Sequence, residues 1–374
     1  MRIAYALRKV IWWSCSLVAL ALLAGCGGGE SSNLAATHPE AATTSKQERT
    51  TPVGETTVPD VFKDRGPLRC PTHSTEMPVT LDADPNAENI APVMAEAEKH
   101  FENAGLTVSI GGPKNSARAV KYVALGIDAV GIVQQPQVLL ATEEEGGAPL
   151  LAIGSVIKQN NAAMIWLPKS GITDVADLKG KAIGIPGVPF QEAFLGEILS
   201  RAGLTLEDVE VKRTNYKSMA ALLEGRVDAI FGVQWNVEGA ALEARGAEPV
   251  IKRAQSLGIP GYEELVVVAP AKCVAKHPAV YRDFMKAVVR GPEEVRKHHG
   301  IAVSLISENY GFDPRFRMRT DVRVPLKASA PLRTEDAHMN LARVAHLADW
   351  MYEKGILERK PPVRQLFTND YVAP

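Results

Sequence analysis

The chain has 374 residues, 46% of them hydrophobic and 23% charged, the balance of a folded water-soluble protein and not of a disordered or multi-span membrane chain. That length exceeds what one ordinary core fills, so two lobes with appendages are expected. Forty-two basic against 43 acidic side chains leave no positive surplus for a nucleic acid, and four cysteines are too few for a disulfide scaffold.

Arg2, Arg8 and Lys9 precede an apolar run from Val10 to Leu23. The run is shorter than the roughly 20 residues that span a bilayer, but it suits the centre of a secretory signal. It ends in Leu23-Ala24-Gly25-Cys26, which resembles the lipobox of bacterial lipoproteins. The resemblance implies cleavage of residues 1–25 and a lipid on the Cys26 thiol, anchoring the protein to the extracytoplasmic face of the cell membrane. Losing the signal removes three basic and no acidic residues, so the net charge moves from −1 to −4 and lipid chains alone must hold the membrane. Residues 27–59 contain 17 Gly, Ser, Thr or Pro among 33 and no aromatic residue. Such a stretch buries too little surface to offset its ordering entropy, so 26–77 reads as a flexible tether; its low-complexity part alone spans on the order of 30 Å. Past Cys26 only Cys70 and Cys273 remain. They can pair in an oxidising compartment, but sequence alone does not place them together.

From Val79 onward, β-rich runs alternate with amphipathic helices, the pattern of α/β layers with mainly parallel strands. Val79 to Asp82 reads as a strand. Asn89 is placed to cap a helix carrying Ile90, Val93, Ala97 and Phe101 on one face. Leu106 to Ile110 is the next strand, and Ser116 is expected to cap a helix that runs to Leu125.

An internal echo follows. Asp128-Ala129-Val130-Gly131-Ile132-Val133-Gln134 returns one hundred residues later as Asp228-Ala229-Ile230-Phe231-Gly232-Val233-Gln234. Each copy follows a helix and a glycine and ends in glutamine at the carboxyl end of a buried strand. Ligands of open parallel sheets bind outside those ends, so Gln134 and Gln234 are expected at a shared cleft. Thr173 reads as the cap that opens the second lobe. Strand 181–185 then leads through Pro186-Gly187-Val188-Pro189-Phe190 into a helix ending at Arg201, whose first N–H groups suit an acceptor or anion. The chain returns to the first lobe near Gly261-Tyr262-Glu263-Glu264, and helices near 279–297, 301–310 and 333–354 complete it. The expected division is 78–170 and 261–374 for one lobe and 171–260 for the other.

Several strings in this order resemble the solute-binding proteins of ABC importers with the type II periplasmic-binding fold, in the branch of thiamine-pyrimidine precursor binders and related pyrimidine synthases. They are Leu81-Asp82-Ala83-Asp84-Pro85-Asn86, Gly131-Ile132-Val133-Gln134-Gln135-Pro136, Asp177-Leu178-Lys179-Gly180-Lys181, Trp235-Asn236-Val237-Glu238 and Tyr262-Glu263-Glu264-Leu265-Val266. The resemblance implies a two-lobed α/β fold whose cleft closes on an aminopyrimidine, with Glu238 at the position of a glutamate that accepts hydrogen bonds from the amino face. Trp235 supplies a flat surface for stacking. Asp82, Asn86, Asn89, Gln134 and Gln135 are expected on one wall, and Gly187, Val188, Phe190, Trp235, Asn236 and Glu238 on the other. The first loop departs from the family pattern, with Ala83, Asn89 and Val93 where tryptophan, histidine and tyrosine are expected, so ligand identity stays open.

Competing chemistry is thin. The synthases' cysteine-rich cluster is missing from residues 71–374, which contain Cys273 alone. Ser155-Val156-Ile157-Lys158 matches a nucleophile motif but lies in a β-like run without its companion strings. His298 and His299 diverge by about 100° on a helix and read as surface residues, as do His338 and His346. A monomeric, non-enzymatic binding protein is expected, without a cofactor or metal, partnered by a small ligand and ABC permease subunits. A synthase-like enzyme and a tethered ligand sensor are the alternatives.

Overall fold

A computed structural model describes residues 70–112, 115–144, 149–215, 217–309 and 318–373. All of them lie within one compact unit, Arg65–Pro374. The signal, Cys26 and the tether as far as residue 69 lie outside the described residues. Among the described residues no helix is long and apolar enough to cross a membrane.

Among the described residues, ten strands form two five-stranded sheets. The strands are β1 (Glu76–Leu81), β2 (Thr107–Gly111), β3 (Val130–Val133), β4 (Leu150–Ile157), β5 (Ala162–Trp166), β6 (Ala182–Ile185), β7 (Glu210–Arg213), β8 (Ala229–Gln234), β9 (Val250–Arg253) and β10 (Leu265–Pro270). The first sheet runs β2-β1-β3-β10-β4 and the second β7-β6-β8-β5-β9. In each, the first three strands are parallel, and one antiparallel strand (β10 or β5) separates them from the last. The echo seen in the sequence is therefore structural, because β3 and β8 hold the same central place. Ala129 donates its N–H to Pro78 O at 2.8 Å, and Asp228 donates its own to Ala182 O at 2.8 Å. Both strands are buried almost throughout, as central strands covered on two faces must be.

Several boundaries differ from the sequence reading. The first strand begins at Glu76, inside the stretch assigned to the tether. β5 ends at Trp166 and belongs to the second sheet, so the chain crosses between lobes at 158–161 and not near 170. It crosses back between β9 and β10. Asn115, not Ser116, caps the helix Ser116–Ala124, its Oδ1 accepting from Arg118 N at 3.2 Å. Asp174, not Thr173, caps the short turn of 3-10 helix Val175–Leu178. Thr173 instead donates to the Asp177 carboxylate. The long helices expected at 279–297 and 333–354 are Pro278–Val288 followed by Gly291–Lys297, and Leu341–Glu353.

One helix, Met318–Ser329, has no counterpart in the sequence reading, because Pro325 and a charged composition hide it. It packs on the segment that follows β8. The helix Leu341–Glu353 spans both lobes: its Trp350 ring meets Phe194 of the second lobe edge-on at 5.4 Å, and Lys354 just beyond pairs with Glu197. Cys70 and Cys273 form a disulfide, tying the start of the described chain to the helix after β10.

Candidate functional site

The carboxyl ends of β1, β3 and β8 and the two crossings converge between the lobes. Their polar side chains are buried, which calls for partners. On the first-lobe side, Asn89 is fully enclosed and occupies the cap position of the helix Ile90–Ala97, yet it does not cap that helix. Its Oδ1 accepts from Asn86 N at 2.8 Å, and its Nδ2 donates to Asp82 Oδ1 at 3.1 Å. Asn86 in turn accepts from Glu88 N through Oδ1 at 2.8 Å. The loop is thus a closed knot of amides that aims Asp82 and Glu88. Ser116, displaced from capping, accepts from Gln134 N at 3.0 Å and fixes the end of β3.

The return segment carries the centre of the site. Glu264 is fully buried; its Oε1 accepts from Gln134 Nε2 at 2.8 Å and its Oε2 from Asn161 N at 3.1 Å. Glu264 therefore joins the end of β3 to the crossing between lobes. Glu263 faces elsewhere, accepting from Ser155 Oγ, Asn340 N and Arg343 Nη2 while its own N–H donates to Gln135 Oε1. Ser155 is thereby spent on structure, and the nucleophile motif it heads has no free hydroxyl.

Across the cleft, Asn236 donates from Nδ2 to Glu88 Oε1 at 3.1 Å and to Ser329 Oγ at 2.8 Å. One amide thus links the second lobe to the first-lobe loop and to the helix Met318–Ser329. Glu238, half-buried, accepts from Gln234 N at 2.9 Å. Arg333 donates to Ala87 O and Leu326 O behind Glu88.

Asp82, Glu88, Glu238 and Glu264 stand within electrostatic reach of one another. Burial lifts the Asp82 carboxyl to about 6, against the pull of Asn89. Burial lifts Glu264 to about 7, with Asp82 adding to the rise and Gln134 opposing it. Glu88 is raised well above the carboxylate range by burial and then by Glu264, and Glu238 is raised by burial. Burial pulls the Arg333 guanidinium beside Glu88 down to about 10, with Glu88 opposing the fall. Around this acidic centre, buried polar atoms lack hydrogen-bond partners among the described residues: Gln135 Nε2, both amide atoms of Asn160 and of Asn161, and Asn236 Oδ1. An unpaired buried polar atom costs about 1–3 kcal/mol, so a concentration of them at one place marks a surface built to meet something else.

The sequence-predicted residues divide accordingly. Asp82, Asn86, Asn89, Gln134, Gln135, Asn236 and Glu238 fall into the polar network. Val188 and Phe190 do not: both are buried in the apolar core, where the Phe190 ring stands edge-on to Phe194 at 5.2 Å. Gly187 is half-buried beside them, and the Val188 N–H already donates to Gln191 Oε1 at 3.3 Å. Trp235 is half-buried with the Arg253 guanidinium over its ring at 4.2 Å, so a cation already covers one face. Glu88, Asn160, Asn161, Tyr262 and Glu264 were absent from the predicted set. Asn160 and Asn161 are marked in the sequence only as polar residues abutting apolar strands at a crossing, Tyr262 and Glu264 also by the resemblance string they share, and Glu88 by its place in the loop after β1. An open cavity of about 590 Å³ shares Arg333 with this region and is also lined by Arg296, His299, Arg323 and Lys327. Its cationic wall makes it a poor match to the acidic cleft.

The NMT1/THI5-like family pattern matches residues 86–300, more than half of the chain. The chain belongs to that family. The formylaminopyrimidine-binding protein of Halalkalibacterium halodurans is 27% identical over 231 residues, covering 62% of this chain and 69% of that one. The 4-amino-5-hydroxymethyl-2-methylpyrimidine phosphate synthase of Schizosaccharomyces pombe is 25% identical over 204 residues, covering 52% of this chain and 58% of that one. Among solved structures, the alkanesulfonate-binding protein SsuA of Xanthomonas axonopodis pv. citri, bound to MOPS, superposes with a TM-score of 0.61 at 17% identity, over 80% of this chain and 99% of that one. The fold is that of the two-lobed periplasmic binding proteins. The family match stops at residue 300, so the helix that supplies Ser329 lies outside it.

Proposed function

We propose that this protein is the extracytoplasmic solute-binding component of an ABC importer and that its ligand is a small amino-heterocycle of the aminopyrimidine type. The observation that carries this reading is the set of buried Asp82, Glu88 and Glu264 with half-buried Glu238 between the lobes, surrounded by amide groups without partners among the described residues. Carboxylates accept in parallel from an exocyclic amine and a protonated ring nitrogen, while Asn161 and Gln135 offer donors to the remaining ring nitrogens or a formyl oxygen. The formylaminopyrimidine-binding relative supports the ligand class. A sulfonate, the ligand class of SsuA, would place an anion beside these carboxylates, while the nearby Arg333 guanidinium already donates to Ala87 O and Leu326 O.

Binding without chemistry is the favoured role. Cys70 and Cys273 are joined in a disulfide, which withholds both thiols from metal ligation or attack and suits an oxidising extracytoplasmic compartment. The two crossings act as hinges, and Asn236 latches the second lobe onto Glu88 when they close. Acylation at Cys26 anchors the protein, and mass spectrometry of the membrane fraction tests it.

The ligand class is tested by melting the protein with aminopyrimidines, flavins, alkanesulfonates and nitrate, because binding to the folded state alone raises apparent stability. Aminopyrimidines are expected to raise the melting temperature and alkanesulfonates to leave it unchanged. The reverse pattern rejects the amino-heterocycle.

A further inference from the structure

Two helices of the first lobe, one of them following Glu88 and Asn89, meet at close range. A Cβ added to Gly291 would lie 2.0 Å from Ala91 O, so the helices Ile90–Ala97 and Gly291–Lys297 pack backbone against backbone. At this junction Glu98, Glu294 and His298 each present a ligating atom, and the three atoms lie within 4.8 Å of one another. Glu294 and His298 are four residues apart, which brings them to one side of the helix end. Lys99, in the left-handed region at φ 62°, turns the chain so that Glu98 and His100 flank the same spot.

The partners are arranged as a shell. Glu294 is 8% exposed; its Oε2 lies 3.5 Å from His298 Nε2, and its Oε1 lies 3.1 Å from His100 Nε2. The Glu98 carboxylate has no hydrogen-bond or ion-pair partner among the described residues, although a second carboxylate stands beside it. Two carboxylates held this close repel one another, and a single divalent cation between them would relieve both.

We propose that Glu98, Glu294 and His298 form a surface site for Zn²⁺ or a divalent ion of similar ligand preference. His100 then steadies Glu294 from outside the coordination shell, and a fourth position stays open to water. One imidazole and two carboxylates suit zinc's four-coordinate N/O chemistry, whereas calcium and magnesium take six or more oxygens. The ion joins the helix that follows Glu88 and Asn89 to the helix Gly291–Lys297, and so braces one wall of the cleft. The site is independent of the ligand's identity.

Chelator-treated full-length protein is titrated with Co²⁺ and its visible spectrum followed, then Zn²⁺ is added in competition. A single saturable Co²⁺ per chain is expected, with the intense absorption of a four-coordinate ion, displaced by Zn²⁺. His298→Ala changes a side chain that is 42% exposed, so it is expected to keep the metal-free melting curve while losing the spectrum. His100→Ala is expected to keep the spectrum and weaken affinity about 10- to 100-fold, as loss of an outer-shell partner does. Absence of saturable Co²⁺ binding overturns the proposal. So does an unchanged Co²⁺ spectrum and affinity in both His298→Ala and Glu98→Gln.

Discussion

Glu264 has both oxygens bonded and still titrates near neutrality, because two hydrogen bonds do not replace the water lost on burial beside Asp82. The sign of its effect on stability follows. Its folded value, about 7, lies above the unfolded 4.5, so the native state binds the extra proton in between and ligand-free stability falls as pH rises through that window. Asp82, lifted from 3.8 to about 6, acts in the same sense over a lower window. Urea unfolding of ligand-free protein at pH 5, 6.5 and 8 is expected to show a decline on the order of 1–3 kcal/mol attributable to Glu264. Glu264→Gln should flatten that part, and an identical decline in the variant contradicts the assignment. In the sequence Glu264 stands within Tyr262-Glu263-Glu264-Leu265-Val266, a string of the family resemblance, with nothing local that marks its side chain for the site. The packing of two sheets against the crossing buries both Glu263 and Glu264, and directs Glu264 to Gln134 and Asn161. The same holds for Asn160 and Asn161. Asp82 and Gln134 were legible because each ends a strand whose apolar pattern is local.

Among the elements, β8 shows how the scaffold sets the site. Gly232 adopts φ 75° within the strand, and a Cβ there would meet the Gln191 side chain at 2.7 Å. Gln191 uses that space to donate to Gly232 O at 2.9 Å, joining the helix Pro189–Arg201 to the strand that leads to Trp235. Gly232→Ala combines a strained backbone with lost space, and a destabilisation of about 1–3 kcal/mol is expected in urea unfolding. A variant as stable as the parent would mean that the strand relaxes freely. The helix Met318–Ser329 marks the limit of sequence reading at this scale. Pro325 argues against a helix interior, yet the chain tolerates it, and Ser329 accordingly bonds back to Pro325 O at 2.8 Å.

For the molecule as a whole, the sequence repeat foretold two equivalent sheets, since the hydrophobic pattern of a strand and its preceding helix is carried within thirty residues. The lobe boundary was misplaced because β5 is an apolar strand with no marker of which sheet it joins. The disulfide closes a loop of 203 residues between Cys70 and Cys273. Replacing both by serine should cost about 2–5 kcal/mol of unfolding free energy, read as a lower melting temperature under non-reducing conditions. An unchanged value would show that the unfolded chain gains nothing from the release. If an acidic, donor-seeking cleft between the lobes holds the ligand, calorimetric titration of formylaminopyrimidine into the parent and into Glu264→Gln reads it out. Saturable one-to-one binding by the parent, weakened about tenfold or more by the substitution, is the predicted result. Equal affinity in both proteins, or no heat with formylaminopyrimidine where an alkanesulfonate binds, contradicts it.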